Sequence, residues 1–165
     1  MSERLTEHDA RVALRDHVLE KAEAARRRYG DLRGRGDLLR LLSDSDVLRY
    51  PVQLRFDASE LEPGEFGYVR PNAEDPRQGF VLFVHPSLEH DFDACVRAVL
   101  YHLVVVNYGE IATGAEAEAF GASILGVDVE QYYCDLCELS DRLGGSPAAD
   151  PPSSCGCPSG TCDRR

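Results

Sequence analysis

The 165-residue sequence predicts an α+β domain: N-terminal helices, a three-stranded and mostly antiparallel sheet, a buried central helix, two C-terminal helices, and a Cys-rich tail. Three observations predict it. Apolar residues recur every three or four positions before residue 30 and again after residue 91, which is helical spacing. Between these stretches lie short segments that either alternate or are apolar throughout, as strands do. A chain of this length with 43% hydrophobic residues fits one domain around one core.

The first helix covers 6–29, with Ala10, Leu14, Val18, Ala22, Ala25 and Tyr29 on one face and Arg26 to Arg28 near its C-terminal end, where cations suit the dipole. Gly30 stops it. After the break at Gly34-Arg35-Gly36, a short helix runs from Asp37, read as its N-cap, through Leu42. The arginines 26–28, 33 and 35 form a solvated helix end and loop; docking of an acidic partner is the alternative. Val52, Leu54 and Phe56 alternate with polar residues in the first strand, Pro63-Gly64 marks a turn, and Phe66 and Tyr68 alternate in the second. The segment 79–84 is apolar on both faces, as an interior strand is. Connections this short favour antiparallel neighbours.

From Phe92 to Asn107 the chain is apolar almost all round, marking a buried central helix that Gly109 ends. Thr113 to Glu116 is a capping-box sequence opening a helix to Leu125, with Gly126 as its stop. Asp128 caps a last helix with the stripe Val129, Tyr132, Leu136, Leu139 and Leu143. The domain is therefore residues 1–143. Residues 144–165 hold no Leu, Ile, Val or aromatic residue and are expected to stay disordered without a metal or crosslink.

The formal net charge is −11, and it is uneven: residues 1–50 carry ten acids and eleven bases, residues 51–165 nineteen acids and seven bases. So acidic a surface repels phosphate backbones, which excludes nucleic acid as the expected partner. An interaction protein using the acidic face is one functional class open to the chain, with the protein partner unknown. No apolar signal segment opens the sequence and no apolar run is long enough to span a bilayer, so the expectation is a cytoplasmic protein without membrane contact. In that compartment clustered cysteines bind metal or do redox work more often than they form structural disulfides.

Five of the six cysteines follow residue 133. Cys134 and Cys137, three apart on the last helix, project from nearly the same face, and a tail that folds back offers Cys155, Cys157 and Cys162. Four thiolates suit tetrahedral zinc; Cu(I) or an iron–sulfur cluster are the alternatives for soft ligands at this spacing. A thiol–disulfide couple at Cys134 and Cys137 competes with the metal reading, as does a tail whose cysteines share no site. Cys95, inside the central helix, reads as a small core residue.

Two segments carry a resemblance. Val99 to Leu103 holds His102 on the buried helix, and Glu116 to Leu125 is a helix with Glu116 four residues before Phe120. With the element order, these resemble the minimal zincin fold of small HExxH metallopeptidases, the family that cleaves phage-type repressors. The resemblance covers residues 5–126 and implies a first zinc histidine at His102 and a third ligand at Glu116. It departs at the chemistry: Leu103 stands where the catalytic glutamate belongs and Val106 where the second histidine belongs. Neither holds a proton or a metal. The resemblance thus implies a non-catalytic scaffold, to which the cysteine cluster, read on its own, adds a thiolate metal site. The competing class is a metalloenzyme with a nonstandard site, in which His85 and His90 join His102 and Glu116 or Glu118 around zinc or iron. The bland account of His102 is a hydrogen-bonded core residue. Tyr101, Asn107 and Tyr108 either line a small pocket or satisfy backbone groups. No Gly-rich phosphate loop or nucleophile elbow occurs.

Overall fold

The computed structural model describes residues 6–144 and shows an α+β arrangement of five α-helices and a three-stranded mixed sheet. Helix α1 (Glu7–Tyr29) opens with a reciprocal capping box between Thr6 and Asp9 and ends at Gly30, whose φ of +58° suits only glycine comfortably. Its buried stripe is small (Val18, Ala22, Ala25), which lets α1 lie closely on α4. Helix α2 (Arg35–Leu42) begins earlier than the sequence suggests. Gly34 is its N-cap; Asp37 sits one turn in, its carboxylate accepting from the Arg33 N–H at 3.1 Å.

Strands β1 (Val52–Phe56), β2 (Gly67–Pro71) and β3 (Phe80–Val84) form a sheet in the order β1-β3-β2. β2 pairs antiparallel with β3, Gly67 opposite Val84, as expected. β1 pairs parallel with β3, Val52 opposite Phe80, which corrects the mostly antiparallel expectation. The cause is burial. β3 is the strand apolar on both faces and takes the centre, so β1 and β2, each with exposed alternate residues, are left at opposite edges. The chain between β1 and β3, which includes β2, then serves as the crossover that a parallel pair requires.

Helix α3 (Phe92–Tyr108), capped by Asp91 and stopped by Gly109, has nine of its 17 residues buried and runs through the core. Helix α4 (Gly114–Leu125) packs on α1, α3 and α5, and Gly126 in the left-handed region closes it. Helix α5 (Val129–Gly144) turns Tyr132, Leu136 and Leu139 inward. Val129, placed by the sequence on that stripe, is surface-exposed because the helix's first residue precedes the turn that reaches α4. Tyr132 is fully buried, packs where Gly121 has no side chain, and donates its hydroxyl to the Arg97 carbonyl at 2.7 Å. None of these helices is long and apolar enough to cross a membrane.

Candidate functional site

His102 lies on α3 against β2. Its Nδ1 bonds the Ala98 carbonyl one turn back at 2.7 Å, as the donor, since a carbonyl oxygen only accepts. Its ring is held edge-on by Phe66 and Tyr101, both with centroids at 5.4 Å. Gly67 leaves room for that ring: a Cβ there would fall 2.9 Å from His102 Cε1. Burial pushes the His102 pKa down, against the opposing pull of hydrogen bonds to the Ala98 and Gly67 backbone, so the ring is neutral at pH 7. Leu103 is fully buried and Val106 nearly so, Leu103 within the main core cluster.

Glu116 is buried, and its carboxylate is occupied. It accepts from the Thr113 N–H at 2.7 Å and from the Thr113 hydroxyl, completing the capping box that starts α4. Burial opposes its ionisation, but the Thr113 bonds outweigh burial and hold the pKa below the ordinary glutamate value. Glu118 is half-buried, and its pKa is raised first by desolvation and then by Glu130. It lines a shallow cleft of about 160 Å³ with Phe66, Tyr101, Leu136 and Cys137. His102 does not line that cleft. His85 turns its Nδ1 to the Ser87 hydroxyl at 2.8 Å and caps a single 3₁₀ turn, and His90 is exposed. Among the described residues, no three His, Cys, Asp or Glu side chains come together in a group able to hold a metal ion.

Of the thiols, Cys95 is buried in α3, and burial pushes its pKa up to about 11. Cys134 and Cys137 are exposed on α5, as expected from their offset to its core stripe. Cys155, Cys157 and Cys162 lie outside the described residues, as does the 145–165 tail, so the set of five is not seen together.

The polar end of α3 resolves the question of Asn107 and Tyr108. Asn107 satisfies backbone groups: its Oδ1 accepts from the Arg49 N–H at 2.8 Å and its Nδ2 donates to the Val47 carbonyl at 3.0 Å. Tyr108 bonds His17 Nδ1 through its hydroxyl at 2.7 Å. Both residues also line a cavity of about 430 Å³ with His17, Lys21, Ser45 and Arg49. Tyr101, in turn, is a wall of the α5 cleft. The sequence hinted at Asn107 and Tyr108 through their polarity at the end of an apolar helix; nothing in it pointed to His17, Lys21 or Arg49.

Comparison with protein-family models, with curated proteins and with solved structures finds no match to this chain.

Proposed function

We propose that the chain is a non-catalytic scaffold of zincin-like architecture that carries a thiolate metal site, joining α5 to the segment that follows it, with zinc as the metal. The observation that carries the reading is the pair Cys134 and Cys137, exposed one turn apart on α5 while Tyr132, Leu136 and Leu139 anchor that helix to the core. Two thiolates on a rigid helix supply half of a tetrahedral site, and Cys155, Cys157 and Cys162 supply the remainder. Cu(I) and an iron–sulfur cluster use the same ligands.

The zincin-like part of the proposal rests on element order: β3 leads to a buried helix bearing His102, and the following helix opens with Glu116. Its non-catalytic character rests on side chains already committed elsewhere. Leu103 and Val106 are core residues, the His102 Nδ1 is held by Ala98, and Glu116 is the cap of α4.

Metal analysis of the full chain purified under reducing conditions tests the reading, alongside a Cys134→Ser/Cys137→Ser variant and a chain truncated after Gly145. We expect about one zinc per full chain, lost in both comparisons. Full-length protein that is metal-free with titratable thiols overturns it. Metal retained by the double variant removes α5 from the site. A metal-free disulfide between α5 and the tail would favour the redox reading instead.

A further inference from the structure

We propose that the cavity between α1, the α2–β1 loop and the C-terminal end of α3 binds a small organic phosphate, held by Lys21, Arg49 and His17. The proposal is independent of the thiolate site and uses none of its residues.

Charge is the first argument. The chain contains 29 Asp and Glu residues, yet none lines this cavity of about 430 Å³; its charged walls are Lys21, the chain's single lysine, and Arg49. Neither cation is paired with a carboxylate among the described residues. The two acids of the adjoining loop turn their carboxylates to Arg28, which bonds Asp44 at 2.6 Å and Asp46 at 2.7 Å and offsets one of their two charges. Lys21, Arg49 and Arg28 against Asp44 and Asp46 leave an excess of one positive charge at this concavity, in an otherwise acidic molecule.

Preorganisation is the second. Lys21 Nζ donates to the Asp46 carbonyl at 2.6 Å, which fixes the ammonium without neutralising it and leaves two further donors. The Arg49 backbone is tied to α3 by Asn107, and its guanidinium rests over the Tyr50 ring at 5.4 Å. Tyr108 engages one nitrogen of His17, and the other has no partner among the described residues. Ser45 adds a hydroxyl.

These donors suit a group with several anionic oxygens better than a carboxylate with two. The volume exceeds what inorganic phosphate fills and leaves space for an organic substituent against the Tyr108 ring. A phosphomonoester meets both conditions.

The test is an amide NMR titration of the full chain at constant ionic strength with phenyl phosphate, inorganic phosphate and succinate. It is repeated with Lys21→Met and with Arg49→Met. We expect saturable shifts centred on Lys21, Ser45, Arg49 and Asn107, with phenyl phosphate tightest and its affinity falling at least about tenfold in each variant. Shifts that do not saturate, that centre elsewhere, or that survive both substitutions overturn the site. Succinate binding as tightly as phenyl phosphate overturns the phosphate assignment. If a variant fails to fold, the location and saturation of the wild-type shifts decide.

Discussion

Glu116 shows how a buried carboxylate can be given over wholly to capping a helix. Its carboxylate closes the cap of α4, and the Thr113 bonds, working against burial, leave its folded pKa below the ordinary glutamate value. A depressed folded pKa adds stability that is present above the unfolded value and is lost as pH falls through the folded one. At pH 7 the wild type should therefore exceed Glu116→Gln in urea stability by about 1 kcal/mol, the usual size of a cap. The gap should close as pH drops below 4.5, the ordinary value, and through the lower folded value. A gap independent of pH would show that the carboxylate charge contributes nothing there. Gly67 is a second residue whose identity is set by a neighbour, because the His102 ring occupies the space a Cβ would need.

For elements, α3 decides most. Introducing an HExxH sequence at His102, as Leu103→Glu with Val106→His, places a carboxylate and an imidazole at positions 0% and 2% exposed. Burying such groups without partners costs several kcal/mol, so the double variant should unfold or lose at least about 3 kcal/mol by urea denaturation. A stable variant would mean that these positions open onto a site. The helices were largely legible because capping and period are local: Thr6, Thr113 and the glycines 30, 109 and 126 mark ends the structure keeps, whereas the Asp91 cap of α3 shows only in the fold. The start of α2 was not, since Asp37 is as good a cap residue as any and only the fold shows Gly34 in that role. The parallel β1–β3 pairing was hidden because periodicity reports which faces are buried, not which strand lies beside which. The basic cavity was hidden for the same reason, as His17 and Tyr108 meet across 91 residues of sequence.

Over the whole molecule, charge is the dominant asymmetry. Residues 91–141 hold ten acids and only Arg97, within a chain of net −11. Folding concentrates that repulsion, and salt screens it. Raising NaCl from about 0.05 to 1 M should therefore raise the Tm; about 1 kcal/mol of relieved repulsion corresponds to roughly 4 °C for a domain of this size. An unchanged or lower Tm in a calorimetric salt series would argue that the acids are already balanced locally. The sheet order has a further outcome for how copies of the chain meet. With β3 in the centre, neither flanking strand has an outer strand partner among the described residues, which is the arrangement that invites strand addition and fibril growth. Each rim is only five residues long. One ends in Pro71, which has no N–H to offer, and carries Arg70; the other turns Gln53 and Arg55 to solvent. An incoming strand finds a short, charged template on either side, closed at one end by proline on β2, so the same fold makes both edges poor seeds for aggregation.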